Sequence, residues 1–538
     1  MRVTANWPGY NLGMDLHAEL ARFNPSPELA DWVLGRLQQV VDEASVEVTR
    51  RDQELTAAQT KIQALTLELA HLRRMRFGAK SEALSTEQRD LFQETLASDV
   101  AAAEAELAQQ AQNAPTPRPP RARAGRQPLP EHLPRIERHH EPESCTCGQC
   151  GNDLVKIGED ISEQLDVEPA RFFVHRHIRP QYACRACETI TAAPIPPAVI
   201  DGGLAAPGLL AWVVIGKYAD HLPLYRLEQI AARDGVTLSR STLAQWVGRI
   251  GVALQPLADR LASLLLEGAV LHADETPVAQ LDPGNGKTKR AYLWAYRSNA
   301  LETGPPIVVF DYQTSRAGRH AQAFLSGWRG HLMVDDFGGY KQLFTDGVTE
   351  LGCFAHARRK FFELNAAQAN PLAQEALSRI AALYAIEARA KEMDVAARSH
   401  LRQMEALPLL ESMHDWLLRT RVTVANGGGT AKAIDYSLRR WAALSRYATD
   451  GRLPIDNNPV ENTIRPIAIG KKNWLFTGSE RAGVRAAAIQ SLLATAKLNG
   501  LDPAKWLRDT LERLPTCLNS QIDSLLPLRA EPLNHIPG

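Results

Sequence analysis

LHADETP, residues 271–277, is the stretch on which the fold turns. Read from Gly268, GAVLHADE (268–275) is an apolar strand that runs into Asp274, with Thr276-Pro277 expected to turn the chain. The device returns in HLMVDDFGGY (331–340), where an apolar strand ends in Asp335 and Asp336 before a Gly-Gly turn. Between and after them lie further strands, RAYLWAYR (290–297), PIVVFDY (306–312) and ELGCFAH (350–356). A third acid stands in LPIDNNPVENTIRPIAIGKKNW (453–474). Asn458-Pro459 reads as a helix start, because proline suits the first turn, and Glu461 then falls on that turn.

Carboxylates at the ends of adjacent strands, joined by one from a helix, can converge on a pair of Mg²⁺ ions. Mg²⁺ takes hard oxygen ligands and is commonly held by few carboxylates plus substrate phosphates. Two such ions ~4 Å apart clamp the attacking and leaving oxygens of an in-line phosphoryl displacement. Bound cations also remove the mutual repulsion of the acids. Taken singly, each acid is as well explained as a helix cap or an arginine partner. The three together favour a metal site.

Bases cluster around the third acid. Arg465, Lys471, Lys472, Arg481 and Arg485 suit phosphates near a scissile bond. Trp474 reads as a core residue, with stacking on an unpaired base as the alternative. CFAHARRKFFE (353–363) places His356, Arg358, Arg359 and Lys360 on a helix after a strand. Phe361 and Phe362 are expected to face the core, and the basic side to face DNA. Long amphipathic helices fill about 371–448, and a final helical region about 480–514.

Upstream, CGQC (147–150) and CRAC (184–187) are two Cys-x-x-Cys knuckles. Zn²⁺ wants four tetrahedral ligands, and each knuckle supplies two thiolates. Cys147, Cys150, Cys184 and Cys187 are therefore the expected zinc ligands, with Cys145 a spare. A redox dithiol is the rival reading, which two pairs without a thioredoxin-like context disfavour. LYRLEQIAARDGVTLSRSTLAQWVGRIG (224–251) reads as helix, turn, helix, broken at Asp234-Gly235. Ser239 or Ser241 caps the second helix, which offers Arg240 and Gln245 to a major groove. Helix pairs of this shape also occur in plain cores.

Residues 27–112 look helical throughout. Leu55, Ile62 and Leu69, with Ala58, Leu65 and Leu72, form a heptad seam that can pair protomers or pack on the protein itself. Residues 113–143 form a basic, Pro-rich linker, in which eight prolines forbid regular helix. Such an arm can track a phosphate backbone or simply solubilise.

The 61 basic and 61 acidic residues of the 538 cancel, which excludes a uniformly basic nucleic-acid binder but not local patches. The balance resolves into blocks, with seven acids against one arginine over 82–107, and five bases against three acids over 456–485. A hydrophobic fraction of 45% argues against global disorder. The longest uncharged apolar run, GGLAAPGLLAWVVIG, is too short for a membrane span, which needs ~20 residues. The start, MRVTANWPGYNLGMDL, has no apolar segment of a signal peptide. Seven cysteines are no disulfide scaffold. The expected location is a reducing bacterial cytoplasm, at the nucleoid.

In this order the motifs resemble the insertion-sequence-66 family of bacterial transposases. The likeness covers nearly the whole chain. It includes RMRFGAKSE, the CGQC/CRAC module with GEDISEQLDVEPARF between its knuckles, and ADETP. It continues through GCFAHARRKFF, DNNPVENTIRPIAIGKKNWLFTGSERAG and NGLDPAKWLRDTLERLP. The resemblance implies a multidomain α+β or α/β chain with an RNase-H-like catalytic domain and an Asp-Asp-Glu triad. Carried over by motif, the triad is Asp274, Asp335 and Glu461, which would hold Mg²⁺ or Mn²⁺. The family has a single Asp before Gly-Tyr, so Asp336 is the rival for the second position. Asn462 stands where the family often has arginine.

The implied domains are a helical, coiled-coil region 1–112, the linker 113–143, a zinc ribbon-like module 144–192 and a helix-turn-helix region 193–262. The catalytic domain 263–498 follows, with its helical insertion at about 371–448, and then a C-terminal element 499–538. The implied function is cleavage and strand transfer of an insertion sequence. The implied partners are double-stranded DNA (terminal inverted repeats and target), other copies of the chain and small accessory proteins of the same element. The alternatives are a catalytically decayed zinc/helix-turn-helix regulator, or another RNase-H-fold nuclease.

Overall fold

The computed structural model describes scattered residues between 29 and 61, residues 129–141 except 130 and 132, and residues 154–529 except 169, 170, 283, 284 and 286. The chain divides into two compact units, one holding residues 1–72 and 103–121, the other 73–102 and 122–538. In the first unit every described residue is helical. Most of the heptad seam lies outside the described residues. Its members Leu55 and Ala58 are described and exposed.

The described residues of the second unit begin with a four-stranded sheet. Strands β2 (Leu154–Glu168) and β3 (Arg171–Cys184) form a long antiparallel pair. Strand β1 (Arg135–His139) runs parallel to β3, and β4 (Ile190–Ala192) pairs with its end. The stretch read as a linker to residue 143 thus contains a strand, because β3 offers it a free edge. Helices α1 (Pro207–Tyr218), α2 (Leu224–Arg233) and α3 (Arg240–Leu265) follow. Gly235 sits at φ +72°, the left-handed conformation that ends α2 as Asp234-Gly235 foretold. The Ser239 side chain accepts the Thr242 N–H and caps α3. The buried stripe Leu243, Trp246, Val247 and Ile250 locks α3 into the main core.

A five-stranded sheet in the order β7-β6-β5-β8-β9 stands at the centre. Its strands are β5 (Val270–Asp282), β6 (Lys287–Ser298), β7 (Val308–Gln313), β8 (His331–Val334) and β9 (Thr349–Gly352). The first three are antiparallel, and β8 and β9 run parallel to β5. Alternation decides which side chains face which layer. In β6, Trp294 and Tyr296 join the core under α3, whereas Leu293 and Ala295 join the opposite one.

Between β7 and the end of the sheet stand the short helices α4 (Arg319–Phe324) and α5 (Lys341–Thr345). Beyond β9 comes α6 (Phe354–Ala367). A helical block then follows: α7 (Pro371–Ala390), α8 (Val395–Leu401), α9 (Leu407–Thr423), α10 (Gly429–Arg439) and α11 (Trp441–Ser445). It has its own core, which reaches the sheet through Val270, Met333 and Leu351. The chain returns in α12 (Asn458–Trp474) and α13 (Glu480–Leu498), and α14 (Pro503–Arg513) packs back on α1.

The expected turn at Thr276-Pro277 does not occur. Strand β5 runs on to Asp282, with Pro277 opposite Tyr292. Strand β8 pairs only with Val270–His272, and among the described residues that edge of β5 has no further backbone pairing until Thr477 bridges Gln280, so Pro277 lies on an unpaired stretch of edge. Proline is tolerated on such an edge.

Candidate active site

The register of β5 and β8 brings two acids side by side. Val270 pairs with His331 and His272 with Met333, partners 61 residues apart. Asp274 and Asp335 are 61 apart as well, so the same register carried two residues on sets them level. Neighbouring strands lie ~4.8 Å apart. The Asp335 carboxylate also accepts the Phe337 N–H at 2.8 Å, which fixes the turn beyond β8. Asp336 goes elsewhere. It is exposed, and its carboxylate lies 3.9 Å from Arg440.

The third acid arrives with α12, which the sequence Asn458-Pro459 begins as expected. One side chain ties this helix start to β5. Asn457, wholly buried, donates to the Ala273 carbonyl at 2.8 Å and meets His272 Nδ1 at 3.0 Å. Its backbone N–H points at Cys353 Sγ, 3.2 Å away. Arg297 donates to the Pro459 carbonyl and to Thr463 Oγ1. Glu461 is thereby held over the strand ends, with Arg359 and His356 each 3.6 Å away. Glu461 Oε1 is buried and makes no hydrogen bond among the described residues.

Electrostatics bear the mark of this crowding. The Asp274 carboxyl is pushed up to about 8, first by burial, then by Glu275, with Asp335 and Glu461 adding to it. The Glu275 N–H, 2.9 Å from Asp274 Oδ1, pulls the other way. Burial holds the His356 imidazole below its usual range, and Glu461 and Asp335 oppose that. Cys353, His356 and Glu461 each offer a ligand atom within 4.8 Å of the others. Burial pushes the Cys353 thiol up to about 12, so it stays protonated and serves as the acceptor at the head of α12.

Four neighbours escaped the sequence reading: Glu275, Arg316, Tyr340 and Asn457. Glu275, adjacent to Asp274, points to the opposite face of β5. There it accepts from Arg316 at 2.7 Å and from the buried Tyr340 at 2.8 Å. The Arg316 guanidinium lies 3.8 Å over the Phe337 ring. The hint in the sequence was the doubled acid of ADETP, which a strand must split between two faces. Asn457 was hidden in the same way, inside a turn read only as a helix start.

The expected bases are dispersed. Arg358 and Lys360 are exposed on α6 beside Arg359, and Arg465 and Lys472 are exposed on α12. Lys471 donates to the Pro277 carbonyl at 3.0 Å. Arg485 is buried, and Arg481 half-buried, on α13. Phe361 is in the core but Phe362 is exposed, against expectation. The buried stripe of α6 is Phe354, Ala357 and Phe361, and the next residue lies ~100° around the helix. Trp474 is half-buried on the core beneath α12.

Of the zinc cysteines, Cys147 and Cys150 lie outside the described residues. Cys184 ends β3, buried, and Cys187 is exposed on the following turn. That turn is closed by Glu188 N–H to Cys184 O and Cys184 N–H to Thr189 O, with Glu188 at φ +57°. In the helix pair, Gln245 is exposed and Arg240 pairs with Glu228 at 2.9 Å. Among the described residues no helix is long and apolar enough to cross a membrane.

Comparison with known proteins covers most of the chain. Residues 202–485 match the model described as "Transposase IS66 family". Residues 144–188 match the "zinc-finger binding domain of transposase IS66". Residues 64–138 match "Transposase C of IS166 homeodomain", and residues 491–528 the "IS66 C-terminal element". Among curated relatives, Uncharacterized protein y4qI of Sinorhizobium fredii (strain NBRC 101917 / NGR234) is 38% identical over 506 residues, 91% of this chain and 93% of the relative. Uncharacterized protein y4jD of the same strain is 38% identical over 481 residues, 86% of this chain and 94% of its own length.

Proposed function

The chain belongs to the transposase IS66 family, and we propose that it cuts DNA at the ends of an insertion sequence and joins the cut strand to target DNA, using Asp274, Asp335 and Glu461. The observation that carries this reading is the convergence of the three acids, Asp274 on β5, Asp335 just past the end of the neighbouring parallel strand β8, and Glu461 on the first turn of α12. The strand order, three antiparallel strands and two parallel to the central one, supports an RNase-H-like catalytic domain over 263–498 with the helical block as its insertion.

The donor set fits a pair of Mg²⁺ ions. All three side chains are hard oxygen donors, one oxygen of Glu461 makes no hydrogen bond among the described residues, and the Asp274 carboxyl is pushed up to about 8 by burial first and then by the neighbouring acids. When bound, such ions neutralise charge on the attacking and leaving oxygens of a phosphoryl transfer. The chain's own residues orient the acids and the substrate. Asn457 fixes Glu461 against β5, and Asp335 stiffens the turn beyond β8. Arg358, Arg359, Lys360, Arg465 and Lys472 present cations to the phosphate backbone.

Cys147, Cys150, Cys184 and Cys187 would hold a structural zinc ion. The closed turn after Cys184 and the zinc-finger match over 144–188 support this. The α2–α3 pair with exposed Gln245 is read as the contact to terminal repeats. The N-terminal helices are read as the means of pairing protomers, with accessory proteins of the same element as further partners.

The test is an end-cleavage and strand-transfer assay with Mg²⁺ or Mn²⁺, accessory proteins included. Cleavage by wild type, lost in Asp274→Asn, Asp335→Asn and Glu461→Gln, is the expected result. Binding of end DNA without cleavage by wild type would replace this reading with that of a regulator. Cleavage without strand transfer would replace it with that of a nuclease.

A further inference from the structure

The surface beside Glu461 holds a feature that the three acids do not use. Phe362 stands on α6 with 52% of its surface exposed, although its neighbour Phe361 is in the core. The Arg358 guanidinium lies 5.7 Å from the centre of its ring. Phe362, Arg358 and Arg359 line an open cavity of about 500 Å³ with Tyr384 of α7 and Asn458 of α12. The Tyr384 hydroxyl is already engaged with Asp456, so that side of the cavity is a fixed wall. Arg358 has no acidic partner among the described residues. Arg359 reaches Glu461 at 3.6 Å, so the cavity opens beside the site of the acids.

An exposed ring with one guanidinium against it and a second lining the same cavity suits a ligand with a flat π-face and a phosphate. A base stacks on an aromatic side chain without regard to its identity, and arginine meets its phosphate. We propose that Phe362 is a stacking shelf for an unpaired base of the DNA strand whose phosphate lies at Glu461. The inference rests on the transposase reading and adds where the strand beside the cut goes. An intact duplex keeps its bases inward, and a nicked or frayed end releases one at lower cost. The shelf therefore favours DNA already opened at the cut. Trp474 is not the shelf. It lies about 20 Å farther along α12 from Glu461 and is packed on the core.

The test uses the full-length protein and a DNA end with a short single-stranded tail carrying 2-aminopurine, in Ca²⁺ so that nothing is cut. Stacking quenches the fluorophore. Wild type and Phe362→Trp are expected to quench it. Phe362→Ala is expected to lose the quench and to bind tailed DNA roughly tenfold more weakly, with unchanged affinity for blunt duplex. Phe362 is exposed, so the variant should melt like wild type. Quenching and affinity in Phe362→Ala equal to wild type would overturn the shelf and leave the transposase reading standing. Failure of wild type to cut DNA in Mg²⁺ would strike that reading instead, while the quenching assay still judges the shelf.

Discussion

Asn457 Nδ2 donates to the carbonyl oxygen of Ala273 across 2.8 Å, joining the turn before α12 to the strand one residue short of Asp274. The same side chain meets His272 Nδ1 at 3.0 Å, and both residues are wholly buried. The placement of Glu461 relative to Asp274 thus passes through one amide.

Asn457→Ala should uncouple them. It leaves the Ala273 carbonyl and His272 Nδ1 buried without these partners, at about 1–3 kcal/mol for each. Melting should fall by several degrees, and end cleavage should fall further than DNA binding. Unchanged cleavage in a variant that melts early would show that Glu461 is placed by other contacts.

The two neighbouring aspartates should separate cleanly. Asp335→Asn should abolish cleavage, because Asp335 is level with Asp274. Asp336→Asn should cut within a few-fold of wild type, because Asp336 lies on the Arg440 side. Assayed side by side, the reverse pattern would reassign the second acid to Asp336.

Metal-free stability should depend on Asp274. Its carboxyl is pushed up to about 8, so the folded chain binds a proton there that the unfolded chain releases near pH 4. The contribution is present below that lower value and is lost as pH rises through about 8. Melting of the metal-free protein should therefore fall across this window. Asp274→Asn should flatten the fall and melt above wild type at the alkaline end. Mg²⁺ should restore wild type there and leave the variant unmoved. An identical slope in both proteins would refute the coupling.

Zinc should be bound at one ion per chain and resist dialysis, as read by elemental analysis. Cys184→Ser, which alters the buried thiol at the end of β3, should lose the ion. Hydrogen exchange over β2 and β3 should then accelerate while the central sheet stays protected. Full zinc content in that variant would remove Cys184 from the ligand set.

Tyr340→Phe removes a buried donor from Glu275 and leaves Arg316 as its remaining partner. A loss of about 1–3 kcal/mol is expected from denaturant titration. The three clustered acids should keep their roles, because Glu275 faces the other side of β5.

The strands, the turn of the second Cys-x-x-Cys knuckle, the Asp234-Gly235 break and the Asn458-Pro459 helix start were legible in the sequence. Each depends on a local rule: alternation, ligand spacing, a left-handed glycine, or a proline in a first turn. The doubled phenylalanines were less legible, because a helix turns ~100° per residue and adjacent rings face different surroundings. Thr276-Pro277 misled in another way. Whether a proline ends a strand depends on whether a partner needs its missing N–H, and that partner is chosen by the sheet. The choice of residues, three acids among bases, was therefore determined by the sequence alone. Their meeting was decided by tertiary structure. It follows from the parallel register of β5 with β8, and from the buried amide of Asn457 that sets α12 against β5. Both are contacts between segments far apart in the chain, which no local pattern encodes.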